Sequence, residues 1–389
     1  MKPTVLALII LVVGNLTACA QSRPVAPTLP GPTPVGQVAL VTAILEPAPV
    51  QQLDIGVQVF DNRSSNQFAA DGAVSVFTRI REIESQYLPL LLRNTLIESG
   101  QWGVVRVLPE ADPSMDLLVS GTILASDGTE LLLEIKVSDS SGREWISQHY
   151  LDQASTDDYP EYIPSARDAA TTMQSLDAFQ DTYARIANDI LAVRENLNET
   201  ALTTLMQLTS LRYASDLAPD AFADYLQRDE RGLLTLARLP AANDPMLARV
   251  ADIRARHDVF IDTIDEYYEG LYRDIKPTYH IWRQYSHDQV VEEQESLARE
   301  RSGILGSSGS FESLARNYNR FKWAKIYEQE FVALAQGFVS ETEPALLALT
   351  RNISGLTGPV EEQYTQWRQL LRELFELETE LPVNPGGEP

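Results

Sequence analysis

The sequence predicts an α+β protein: an N-terminal α/β sandwich-like domain, with a mixed or antiparallel sheet and two helices, followed by an all-helical C-terminal domain. Three observations carry that prediction. Alternating apolar runs bounded by turn residues fall before residue 199, two helical periodicities are interleaved with them, and from Glu199 onward the apolar spacing is that of helices broken by Pro, Gly and Ser. With 389 residues and 44% hydrophobic content, the chain is long enough to bury two cores, expected over 37–198 and 199–380.

At the N-terminus, Lys2 precedes an apolar run from Val5 to Val13. Spanning a bilayer takes about 20 apolar residues, and Gly14, Asn15 and Thr17 interrupt this run, so residues 1–18 read as a signal peptide. Leu16-Thr17-Ala18-Cys19 resembles the lipobox of bacterial lipoproteins. That resemblance implies cleavage between Ala18 and Cys19 and acylation of the Cys19 thiol. Ala20, rather than Asp, after the cysteine implies delivery to the outer membrane, facing the periplasm. An ordinary secretory signal is the alternative. Against it stands the cysteine count: Cys19 is the only one in the chain, so no intramolecular disulfide forms. Residues 19–36 then read as the lipidated cysteine and a tether. Pro24, Pro27, Pro30, Pro32 and Pro34 favour polyproline II at about 3.1 Å per residue, a reach of roughly 50 Å.

Strand patterns are expected at Val38–Val41 and Leu53–Val59, the second ending in Asp61-Asn62-Arg63-Ser64-Ser65. A helix is expected over Val74–Glu98, stopped by Gly100 and kinked or split at Pro89. Strands follow at Val104–Leu108, Leu117–Ile123, Leu131–Val137 and Glu144–Tyr150. The turns Ser126-Asp127-Gly128 and Ser140-Ser141-Gly142 make the last three an antiparallel meander. A second helix, Asp177–Val193, is expected to pack on the same sheet. This order, with Ile55–Asn62, Leu90–Trp102 and Asp116–Ile123, resembles the α/β domain of small bacterial envelope lipoproteins such as the curli-secretion lipoprotein and the activators of penicillin-binding proteins. The resemblance covers residues 38–195 and brings no functional residues with it. Beyond it, helices are expected at Thr200–Tyr213, Ala221–Leu239, Pro245–Ile275, Thr278–Glu300, Phe311–Phe338, Pro344–Asn352 and Pro359–Glu378. A break is expected at Gly303–Ser310, and residues 381–389 read as a disordered tail.

Charge narrows the function. With 31 Lys+Arg against 55 Asp+Glu, net −24, the chain repels polyanions, which argues against a nucleic-acid partner. No cofactor and no metal site is expected. The residues three before the four histidines are Ile146, Arg254, Pro277 and Gln284, so no Glu-x-x-His pair exists, and His280 and His287 lie two helical turns apart. No nucleophile elbow or phosphate loop occurs. Asp258, Asp262, Asp265 and Glu269 share one helical face, which reads as a solvated stripe or as a dock for a cation or basic partner. Two of the five lysines fall in Arg316–Tyr327. There Arg316, Arg320, Lys322 and Lys325 with Phe321 and Trp323 form a candidate partner or glycan contact; the alternative, favoured by residue type, has the aromatics in a core and the cations paired internally. The sequence therefore predicts a membrane-anchored, non-enzymatic binding or assembly factor, with an envelope protein or peptidoglycan as partner. A lipid-anchored hydrolase or wall-modifying enzyme, and a subunit of a secretion or polysaccharide-export assembly, are the alternatives.

Overall fold

The computed structural model describes residues 32–64, 74–159, 177–241, 243–301 and 358–379, with residues 333, 336, 337, 340 and 356 besides. The elements in chain order are β1 (Ile55–Gln58), β2 (Asp61–Asn62), α1 (Val74–Ser99), β3 (Val105–Leu108), β4 (Leu117–Ser126), β5 (Glu130–Asp139), β6 (Glu144–Gln153), α2 (Gln180–Glu195), α3 (Glu199–Leu217), α4 (Pro219–Phe222), β7 (Leu226–Arg228), β8 (Leu234–Leu236), α5 (Pro245–Arg301) and α6 (Val360–Thr379). The α+β class is as expected: a mixed sheet with helices, then a mainly helical region.

The sheet runs β3-β1-β4-β5-β6, with β2 also pairing β4. β1 is parallel to both neighbours, while β4, β5 and β6 form the expected antiparallel meander. Both of its turns are closed by an aspartate. Asp127 Oδ1 accepts from the backbone N–H of Thr129 and Glu130, and Asp139 Oδ1 accepts from Ser141 N–H while Gly142 takes φ +86°. In β5, Leu131, Leu133, Ile135 and Val137 are buried at every second position. The Ile55–Val57 run of β1 is buried throughout, as a parallel strand covered on both faces should be.

Pro89 does not split α1, which is continuous from Val74 to Ser99. Proline deprives the carbonyl four residues back of its helical donor, and here that carbonyl, Ser85 O, accepts the N–H of Phe60 at 2.9 Å instead. Pro277 likewise fails to divide the helices expected at Pro245–Ile275 and Thr278–Glu300. They are one helix, α5, and Ile275, Tyr279 and Trp282 on either side of the proline are buried in a common core.

Two other expectations are corrected. Residues 38–41 form no strand. They lie as extended chain held by α2 side chains: Asp181 accepts from Val38 N–H, and Asn188 accepts from Val41 N–H and donates to Ala39 O. Just before them, Val35 N–H donates to Leu151 O, so the end of the proline-rich segment is pinned along the outer edge of β6. The helix expected at Ala221–Leu239 is instead α4, a short 3-10 turn and the hairpin β7–β8. Asp229 Oδ1 accepts from Arg231 and Leu233 N–H, and Gly232 at φ +82° closes the turn, a geometry that breaks a helix. The segments 311–338, 344–352, 303–310 and 381–389 lie wholly or mostly outside the described residues.

The core crosses the boundary drawn at 198/199. One cluster joins Val57, Leu92 and Ile135 with Leu202 and Leu205 of α3, Phe260, Ile264 and Tyr268 of α5, and Tyr364 of α6. A smaller cluster, including Leu211, Phe222, Ile253 and Phe375, fills the space between α3, α4, α5 and α6.

α5 approaches the β4–β5 turn closely enough that Gly128 is obligatory. A Cβ there would sit 1.9 Å from the backbone N of His287 and 2.4 Å from its Cα. Gly128→Ala is expected to destabilise the fold by at least about 2 kcal/mol, because backbone on both sides must move. Gly270→Ala is expected to stabilise by about 0.5–1 kcal/mol, since within α5 nothing described lies within 4 Å of that position. Urea unfolding of the two variants reads the contrast; equal midpoints would contradict this packing.

Candidate functional site

Three features concentrate chemistry: two buried polar clusters and one cavity. The first cluster is built on the loop between β3 and β4. Asp112 Oδ1 accepts from Ser114 N–H and Oγ–H at 2.7 and 2.5 Å. Its Oδ2 meets His257 Nε2 at 2.7 Å and accepts the Tyr364 hydroxyl. The Tyr213 ring stacks on His257 at 5.7 Å. Burial by itself raises the Asp112 carboxyl, but His257, Ser114 and Tyr364 outweigh it and hold the group well below the usual carboxylate range. An Asp–His pair invites comparison with hydrolase machinery. With exposures of 0% for Asp112, 1% for His257 and 0% for Tyr364, all three side chains are buried. The cluster pins the loop, α5 and α6 together.

The second cluster joins α1, the β4–β5 turn and α5. Buried Arg283 donates through Nε to the Tyr279 hydroxyl, through Nη2 to Ser126 Oγ and through Nη1 to Asp127 O. Ser126 and Tyr279 in turn donate to Glu84 Oε1, and Asn62 donates to Oε2. The Arg283 guanidinium also lies over the rings of Phe179 and Tyr279, each 5.0 Å away. Burial raises the Glu84 carboxyl in spite of Arg283.

The acidic stripe of α5 has its basic partners within the chain. Arg106 of β3 pairs with Asp262 and Asp258, and Arg93 of α1 pairs with Asp265 and Glu269. The stripe is part solvated face and part internal seam: Asp262 stays 56% exposed, while Asp265 is buried. Asp265 Oδ1 also accepts the N–H of Val107, so the stripe lies along the edge of β3.

The cavity, about 560 Å³, opens between α3, the hairpin β7–β8 and α6. Ala111 and Pro113, on either side of Asp112, line one wall, and Arg212, Asp216, Arg228 and Arg368 line the others. Arg368 Nη2 donates to both Asp216 oxygens at 3.0 and 2.9 Å, and Arg372 Nη2 reaches Oδ1 at 2.8 Å. Arg212 donates to Ser140 O across 3.4 Å, and Arg228 to Gly232 O at 2.7 Å. Burial pushes the Arg212 guanidinium down.

Of the residues singled out in sequence, Ala18, Cys19, Arg316, Arg320, Phe321, Lys322, Trp323 and Lys325 lie outside the described residues. Among the described residues, no group of three or more His, Cys, Asp and Glu is placed to hold a metal ion, and no helix is long and apolar enough to cross a membrane. Sequence reasoning missed Arg212, Asp216, Arg228 and Arg368. Their one local signal is Arg368-x-x-x-Arg372, two cations one turn apart on the amphipathic last helix. Compared with known proteins, the chain matches no family model and no curated protein sequence.

Removing one partner of the second cluster strands a buried charge. Arg283→Met is therefore expected to cost about 3–5 kcal/mol. Glu84→Gln is expected to cost less, because the amide keeps an acceptor for Ser126 and its carboxyl is already raised by burial. Chemical denaturation orders the two variants, and Glu84→Gln as the more damaging would reverse the account.

The carboxyls also set a pH profile. Burial raises Glu84, Asp116, Asp152, Asp258 and Asp265 above the ordinary range, so the folded state holds protons the unfolded chain has released, and stability grows as pH falls through their raised values to the ordinary carboxylate range. Asp112 is lowered, so its contribution is complete above about pH 4 and lost below that. Tm is expected to rise as pH is lowered from neutrality toward the ordinary carboxylate range, about pH 4, and to lose the Asp112 contribution below it. Scanning calorimetry across that range measures it, and a Tm that falls steadily from neutrality would contradict the assignment.

Proposed function

We propose that this chain is a lipid-anchored envelope protein of the outer membrane that works in the periplasm as a non-enzymatic binding or assembly factor. The observation that carries the reading is Leu16-Thr17-Ala18-Cys19, with the sole cysteine of the chain in the acylated position. A single thiol with one chemical job accounts for both facts. Two or three acyl chains at about 0.8 kcal/mol per buried methylene anchor a protein of this size without a spanning helix.

The pinning of Val35 to β6 supports the tether and shortens it. In this reading residues 20–33 are the tether, and fourteen residues at about 3.1 Å each, the polyproline II rise, would give a reach of about 40 Å. A tether of that length suits partners held at the membrane or just above it. Binding suits the folded region: its Asp–His pair is buried, whereas its cavity presents guanidinium groups to solvent. In this reading Arg316, Arg320, Phe321, Lys322, Trp323 and Lys325 contribute a second contact, toward a glycan, a stem peptide or an acidic partner.

Cys19→Ala is expected to leave an uncut or soluble product in place of a membrane-fractionating one, read by membrane fractionation and intact mass. Unchanged fractionation with no acyl mass on the wild-type chain would overturn the anchor. Turnover of peptidoglycan by the purified protein would overturn the non-enzymatic part, and crosslinking in the native envelope identifies the partner.

A further inference from the structure

We propose that the cavity between α3, the β7–β8 hairpin and α6 binds a small polar molecule through an oxyanion, carboxylate or phosphate, held by Arg212 and Arg228 with Arg368 as the third cation. The inference stands independently of membrane anchoring.

Its first support is convergence. The three guanidiniums come from three elements, α3, β7 and α6, and meet on one cavity in a chain with 31 basic residues against 55 acidic ones. Composition alone would place carboxylates there. The second support is the charge balance of the wall. Asp216 is the one carboxylate among the lining residues, and Arg368 and Arg372 already occupy both its oxygens. The described lining therefore carries three guanidiniums against one carboxylate, with Asp112 and Asp139 acting from behind it.

Arg212 is the decisive residue. Among the described residues no carboxylate comes within 4 Å of its guanidinium, and its contact with Ser140 O, at 3.4 Å, is longer than an ordinary N–H···O bond. Burial works against its charge, and Asp112, Asp139 and Asp216 act on it only at a distance. A partly buried guanidinium whose fork makes one long contact matches the planar, two-oxygen face of a carboxylate or phosphate. Arg228, exposed on the hairpin, has Nη1 engaged by Gly232 O and the rest of its fork available at the mouth. A cavity of about 560 Å³ has the size of a small-ligand pocket.

The test is titration calorimetry on the full chain in detergent at low ionic strength, with inorganic phosphate and with citrate as separate probes. Saturable binding of at least one probe is expected, and which one binds distinguishes phosphate from carboxylate chemistry. Arg212→Gln and Arg228→Gln are each expected to weaken binding, the former by about tenfold or more, as loss of a charge-assisted bond does. Arg63→Gln, an exposed cation paired with Asp61, should change nothing. If Arg212→Gln fails to fold, the exposed Arg228→Gln carries the test. No binding of either probe up to about 20 mM, or affinities unchanged in the arginine variants, would overturn the proposal.

Discussion

The sealing of β3 by α5 is the contact on which the rest of the architecture depends. An edge strand presents unpaired N–H and C=O groups that invite other chains. Here Asp265 takes the N–H of Val107, and Arg106, projecting from the same strand, is held by Asp258 and Asp262. Arg93 completes the seam from α1. The polar face of α5 is thereby turned to the sheet edge, while Phe260, Ile264, Tyr268 and Leu271 enter the core that contains β1 and α1. The seam and the apolar face together fix the rotation of this 57-residue helix about its axis.

The two buried polar clusters act on the same helix. Asp112 meets α5 at His257, and the Glu84 set meets it at Tyr279 and Arg283, with the seam between them. Buried charged groups add little net stability over an apolar equivalent of the same shape, and much is lost when one member goes. Their use here is register. A slide of α5 by one turn, about 5.4 Å, would strand every one of these groups at once. Gly128, with room for no side chain beneath His287, limits the approach from the other side.

Much of the sheet was legible because its signals are local. The alternation in β5 and the aspartate-closed turns need only neighbouring residues, and β4 to β6 fall where the pattern places them. The misreadings arise where a distant group changed a local rule. Pro89 reads as a break until Phe60 supplies the donor that Ser85 O lacks. Val38–Val41 reads as a strand from its apolar residues, but its backbone groups find Asp181 and Asn188 of α2 rather than another strand. The hairpin β7–β8 was hidden because its leucines also fit a helical spacing; Asp229 and Gly232 were the overlooked signal. The cavity was illegible for a stronger reason. Arg212, Arg228 and Arg368 form no motif, and only the packing of α6 against α3 brings the last of them to the first two.

The placement of the arginines bears on what the molecule can attract. Arg93, Arg106 and Arg283 are spent inside, on Asp, Glu and carbonyl oxygens, and the chain as a whole keeps an excess of carboxylates, 55 acidic against 31 basic residues. A surface field of that sign repels a polyanion at long range, and salt screens it over about 8–10 Å. Within the cavity the balance reverses, because three guanidiniums face one shared carboxylate. A small anion, carrying little charge through the outer field and matched to a guanidinium fork inside, passes this arrangement where an extended polyanion does not. The acidic exterior and the arginine-lined interior thus select together: the first by charge at a distance, the second by geometry at contact.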